Sequence, residues 1–154
     1  MIDDLIVSAA ERHALPVKLV RALVATESSG NPWSMRYEPA FYARYVHGQR
    51  HAVFGPCSRP TEEMCRAMSW GLMQVMGQTV RELGLKDPFL AALCDPATGL
   101  DWGCRYLAKQ LKRYQGNVEA AVAAYNAGSA IRDEDRQSWR NQSYVDKVRA
   151  AGGL

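Results

Sequence analysis

The chain has 154 residues, 47% of them hydrophobic and 23% charged, with a formal net charge of +3. That is one domain's worth of sequence with enough apolar material for a proper core. The positive excess is small and scattered, which argues against a nucleic-acid binder, and no apolar run reaches the length of a membrane span, which argues against stable insertion.

Taken in chain order, Asp3 or Asp4 caps a first helix through Ile6, Ala9, Ala10 and His13, which Leu15-Pro16 ends. Pro16 reads as the first position of a second helix, where its fixed φ and missing donor do no harm. Val17, Val20, Leu23 and Val24 then recur at helical spacing, and Ser28-Ser29-Gly30-Asn31-Pro32 stops the helix. Winding the segment at about 100° per residue places Glu27 inside the apolar arc, with Lys18, Arg21, Ala25 and Ser28 on the other side. A carboxyl held against apolar surface keeps its proton to higher pH and becomes a candidate general acid. Most helical glutamates are solvated surface residues, so the position alone does not decide.

The stretch from Asn31 to Ser69 is irregular and rich in aromatics: Trp33, Tyr37, Phe41, Tyr42, Tyr45 and Phe54. Two short helices are expected in it, one around Pro39 to Val46 and one opening at Thr61. Core packing and sugar stacking are both open to these rings. A short helix is expected from Gln78 to Leu83, stopped by Gly84. Asp95-Pro96 supplies a cap and a first-turn proline for the longest helix, to Tyr114. Asn117 caps an alanine-rich helix from Val118 to Ala127, and a last helix runs from about Tyr144 to Ala151. Strand alternation, internal repeats and low-complexity segments are absent, so the expected class is all-α, one domain over 1–154 with an aromatic-rich insertion at about 33–68.

Cys57, Cys65, Cys94 and Cys104 match neither a zinc ribbon nor a redox Cys-x-x-Cys pattern. A Cys57–Cys65 bridge closing a loop is the most plausible disulfide, but four reduced thiols are the stronger expectation. His13, His47 and His51 share no ligand spacing, so neither metal nor cofactor is expected.

Three distant segments are chemically unusual: Glu27-Ser28-Ser29-Gly30-Asn31-Pro32, Ser69-Trp70-Gly71-Leu72-Met73-Gln74-Val75, and Ala123-Ala124-Tyr125-Asn126-Ala127-Gly128. In the second, a glycine allows close backbone approach and a glutamine sits in an apolar run; the third places a phenol and an amide at a helix end. Each alone is weak. In this order, with Tyr144-Val145-x-Lys147-Val148 as a fourth match, they resemble the catalytic domain of soluble lytic transglycosylases, which is related to goose-type lysozyme. The resemblance runs from about Val17 to Val148.

It implies a lysozyme-like α-domain with a groove for peptidoglycan glycan strands, acting as a monomer in the cell wall or periplasm. Glu27 would be the single catalytic carboxylate. It would protonate the bond between N-acetylmuramic acid and N-acetylglucosamine, then accept the proton of the muramyl 6-hydroxyl as a 1,6-anhydro ring forms. Substrate contacts would come from Ser69, Trp70, Gly71, Leu72, Met73, Gln74, Tyr125 and Asn126. Leu72 and Met73 would also pack against the acid, and Tyr144 would position it.

Two departures stand out. Trp70 occupies the place where many members carry serine, suggesting a sugar-stacking platform, and the segment between Glu27 and Ser69 is long and contains Glu38. A Glu38 facing Glu27 across the groove would activate water and make a muramidase of the same scaffold. Glu38 is somewhat better read as an ion-pair partner of Arg36, and Met76 stands where goose-type lysozymes carry an aspartate, which favours the non-hydrolytic route. The acidic start, Met1-Ile2-Asp3-Asp4, shows no secretory signal. The expectation is synthesis in the cytosol and release or delivery in the manner of a phage lysis enzyme, or origin as a domain of an exported protein.

Overall fold

A computed structural model describes residues 1–134 and 136–154 as a mostly helical fold. Helices α1 (Ile2–Arg12) and α2 (Val17–Ser28) pack together through Ile6, Ala9 and Ala10 on one and Leu19, Val20 and Leu23 on the other, all buried. Lys18, Arg21 and Ala25 face solvent, as the helical spacing required. Pro16 precedes the first turn instead of joining it, because its ψ of 122° is extended.

The longest helix, α6 (Pro96–Arg113), opens where expected: the Asp95 carboxylate accepts the backbone N–H of Thr98 at 2.9 Å. The Asn117 side chain accepts the N–H of Ala120 at 3.0 Å and opens α7 (Val118–Ala127). Every residue from Ala120 to Tyr125 is buried, so α7 is the central helix, and its alanines let α6 and α8 (Gln142–Ala150) close on it. Helix α8 starts two residues before the expected Tyr144.

The sequence offered no strand, yet Met35–Tyr37 (β1), Met68–Trp70 (β2) and Val75–Met76 (β3) form an antiparallel sheet in the order β1-β2-β3. Arg36 lies opposite Ser69, and Ser69 opposite Met76. Strands of two or three residues are too short to show alternation, and β1 is exposed throughout.

Within the insertion, α3 (Pro39–Phe41) runs into a π-helical turn over Tyr42–Val46, closed by the His47 N–H on the Tyr42 carbonyl at 2.8 Å. Helix α4 (Arg59–Arg66) begins ahead of the expected Thr61, because the Ser58 hydroxyl oxygen accepts the Thr61 N–H at 3.2 Å. Helix α5 (Gly77–Glu82) and a 3-10 turn over Leu90–Cys94 complete the fold.

Between α4 and α5 lies a charge cluster shut away from water. Glu62, 2% exposed, receives both Nε and Nη2 of Arg81 at 2.8 and 3.1 Å, and Arg66 Nε stands 2.9 Å from the same carboxylate. Arg81 also donates to the carbonyls of Leu85 and Asp87 and lies 4.7 Å from the centre of the Phe54 ring. All four cysteines are free thiols, Cys57 and Cys65 included, and burial pushes Cys104 up to about 12.

Candidate active site

Glu27 lies in the last turn of α2, at a groove of about 700 Å³, a size that suits a bound ligand. One side of the groove comes from β1, α3 with the Glu38 that precedes it, and the π-helical turn, with Arg36, Glu38, Phe41, Arg44 and Tyr45. Another comes from α5 and α6, with Gln78, Glu82, Tyr106, Lys109 and Arg113, and the end of α7 contributes Tyr125 and Asn126. Ser69 and Gln74 reach the same space from the sheet and its turn.

The turn joining β2 to β3 is held by side chains that converge on its carbonyl groups. Ser28, next to the acid, donates its hydroxyl to the Leu72 carbonyl at 2.8 Å, and Tyr125 donates to that of Met73 at 2.8 Å. The Gln74 amide nitrogen donates to the carbonyls of Gly71 and Ser34, each at 2.9 Å, while its oxygen accepts the Ser69 hydroxyl at 2.8 Å. Buried polar groups are costly unless paired, so these bonds fix the turn against the end of α2. Gly71 has φ +67°, and a Cβ there would lie 2.3 Å from the Leu93 carbonyl oxygen. Its small size therefore answers to packing against the 3-10 turn, not to the approach of a ligand.

Glu27 is partly buried and accepts a hydrogen bond from the Tyr144 hydroxyl. Burial pushes its carboxyl above the ordinary range, while the Tyr144 bond and the Arg36 charge pull the other way. Tyr144 is itself pushed up, first by burial and then by the nearby Glu27 charge, so it stays a phenol and a donor. Tyr125, fully desolvated, is pushed up for the same reasons. The arrangement is that of an acid that keeps its proton to higher pH than a solvated glutamate, oriented by a neutral hydroxyl.

The residues expected at the site separate into three groups. Glu27, Ser69, Gln74, Tyr125 and Asn126 line the groove, as does Glu38. Gly71, Leu72 and Met73 are buried in the turn, with the Leu72 and Met73 side chains in the main core, and Tyr144 lies against the acid. Trp70 departs from expectation: it is 4% exposed, its indole N–H donates to the Cys65 carbonyl at 3.0 Å, and it packs among Val75, Val80 and Leu93. Such a ring has no open face for a sugar. Gln74 has all its main hydrogen-bonding positions occupied within the protein. Asn126 differs from it: its Oδ1 accepts from Asn141 at 3.0 Å, and its Nδ2 has no protein partner among the described residues.

Glu38 forms an ion pair with Arg36 at 2.5 Å. Sequence reasoning missed Ser28, Tyr106, Lys109 and Arg113; of these, only Ser28, adjacent to the acid, carried a local signal.

The Transglycosylase SLT domain family matches residues 4–146. A transglycosylase of Enterobacteria phage PRD1 is 29% identical over 143 residues, covering 92% of this chain and 39% of the phage protein, so the chain spans less than half the length of that relative. The distant motifs, the groove and the match over nearly all of its length agree: this chain belongs to the Transglycosylase SLT domain family.

Proposed function

We propose that this domain is a peptidoglycan lytic transglycosylase that cleaves the β-1,4 bond between N-acetylmuramic acid and N-acetylglucosamine, with Glu27 as acid and then base. The observation that carries the reading is Glu27 itself, partly desolvated, bonded to Tyr144 and opening onto a groove large enough for sugars. The Glu27 proton passes to the glycosidic oxygen as the bond to the muramyl anomeric carbon breaks, and N-acetylglucosamine leaves with a free 4-hydroxyl. The substrate's N-acetyl group stabilises the electron-poor anomeric carbon. The muramyl 6-hydroxyl then attacks that carbon and returns its proton to the Glu27 carboxylate, closing the 1,6-anhydro ring and restoring the acid.

The Tyr144 hydroxyl positions the carboxyl and stabilises its charged form between the two proton transfers. Asn126, with its amide nitrogen unpartnered, is suited to an acetamido carbonyl. Ser69, Gln74 and Tyr125 act by fixing the turn that shapes the groove floor. The whole of 1–154 would serve as one monomeric catalytic domain acting on the cell wall, in line with a phage relative named a transglycosylase.

The second reading is a muramidase with Glu38 activating water, favoured by the presence of both carboxylates on one groove. The Arg36 ion pair on Glu38 weighs against it, because it draws the lone pairs that would take a proton from water into a bond with the guanidinium.

Glu27→Gln should lower lysis of purified sacculi by about 10²–10⁴-fold, the contribution of a general acid, with the fold intact; unchanged lysis refutes the role of Glu27. Mass spectrometry of the products separates the two chemistries. An anhydro end is one water lighter than a hydrolysed end, and hydrolysed ends would establish the muramidase.

A further inference from the structure

The groove carries charge that a neutral sugar chain does not explain. Four cations reach it from three elements: Arg36 from β1, Arg44 from the π-helical turn, and Lys109 and Arg113 from α6. Facing them are Glu27, Glu38 and Glu82, and each is already engaged. Glu27 accepts from Tyr144, Glu38 is paired with Arg36, and Glu82 accepts the Gln78 amide at 2.9 Å.

The cations are less well matched. Among the described residues Arg44 and Lys109 have no carboxylate within ion-pair distance. Arg44 lies 5.2 Å from the centre of the Tyr45 ring. Arg113 is likewise without a carboxylate and is steadied by the Gly128 carbonyl at 3.0 Å and by the Tyr114 ring. Beside Arg44, the rings of Phe41 and Tyr45 stand 4.8 Å apart and give the same wall an apolar surface.

Hydroxyl and acetamido groups are uncharged. The anionic parts of a peptidoglycan strand are the carboxylates of the short peptides joined to its muramyl lactyl groups, and these peptides also carry alanyl methyls. We infer that Arg44, Lys109 and Arg113 bind the carboxylates of those peptide stems, with Phe41 and Tyr45 receiving their apolar parts, so that the enzyme prefers peptide-bearing strands to stripped ones. The inference rests on the transglycosylase reading and names the form of substrate the groove selects. Partly exposed charge pairs act in high dielectric and are screened by salt, so the preference is modest and depends on ionic strength.

The test compares kcat/KM on soluble glycan strands with intact peptides against the same strands stripped by an amidase, with the lactyl carboxylates that the amidase exposes then converted to primary amides. The wild-type protein should favour intact strands by roughly threefold to tenfold at low salt, with the ratio shrinking at high salt. In the double variant Arg44→Gln, Lys109→Gln the ratio should fall close to one, whereas Lys109→Arg alone should retain it. Equal rates on the two strands by the wild type, or a ratio that survives the double substitution, overturns the inference. Failure of the wild type to cleave either strand would overturn the transglycosylase reading itself, so the two failures are distinguishable.

Discussion

Glu27 and Glu62 are both carboxyl groups withdrawn from water, and their surroundings set them apart. Glu62 receives two N–H groups of Arg81 and lies 2.9 Å from Arg66, so its charge is matched where it sits and its lone pairs are occupied. Glu27 faces the phenol of Tyr144, with the nearest cationic influence coming from Arg36, whose guanidinium is already bonded to Glu38. Burial with a cation makes a clamp; burial with a neutral donor makes an acid able to exchange its proton. One ties α4 to α5 and fixes the far wall of the groove, and the other opens into it. Low exposure alone does not distinguish the two roles; the partners do.

The largest stability effect should come from breaking the clamp. Glu62→Ala leaves two buried guanidinium groups without their carboxylate and should destabilise the fold by about 3–5 kcal/mol, read from urea denaturation. A loss below about 1 kcal/mol would show that the two arginines find other partners, and the contrast with Glu27 would weaken. Tyr125→Phe should cost about 1–3 kcal/mol, the price of a buried Met73 carbonyl left without its donor. The same variant should lower activity by loosening the turn beside the acid. A full loss of activity with unchanged stability would instead give the Tyr125 hydroxyl a direct part in the chemistry.

The smallest effect is expected at Glu27, with the opposite sign. Because its folded-state pKa is raised, the native protein binds the proton more tightly than the unfolded chain does. Its contribution to stability is complete below the unfolded value, near 4.5, and fades as pH rises through the folded one. Glu27→Gln should therefore be neutral or mildly stabilising at pH 7 and should flatten the pH dependence above 4.5. An equal loss of stability across that range would mean that the carboxylate acts as a structural group.

Two helix caps were legible in the sequence because their chemistry is local, whereas the Asp3 or Asp4 cap expected for α1 was not, since both residues lie inside the helix that Met1 precedes. Asp95 and Asn117 each bond an N–H three residues on, and any chain with those residues at a helix start does the same. The Glu27 position was legible because period and stop signal lie within one helix. Three features were not. The sheet pairs Arg36 with Ser69 across a long irregular stretch, through strands with no pattern of their own. Trp70 read as a platform because nothing in the sequence shows that Cys65 offers its carbonyl to the indole. Gln74 read as a substrate contact, and its bonds to Ser34, near the start of the insertion, and to Ser69, just past its end, were not visible in the sequence. Lys109 and Arg113 sit one turn apart on an ordinary charged helix face, and only the fold turns that face toward the groove.

The central claim is that burial raises the pKa of Glu27 by more than the Tyr144 bond and the Arg36 charge lower it. The direct measurement is a pH titration of the Glu27 side-chain carboxyl by carbon-13 NMR, with Glu27→Gln identifying the signal. A midpoint above that of a solvated glutamate is the predicted result. A midpoint at or below the ordinary value would contradict the account, since burial would then not outweigh the Tyr144 bond and the Arg36 charge.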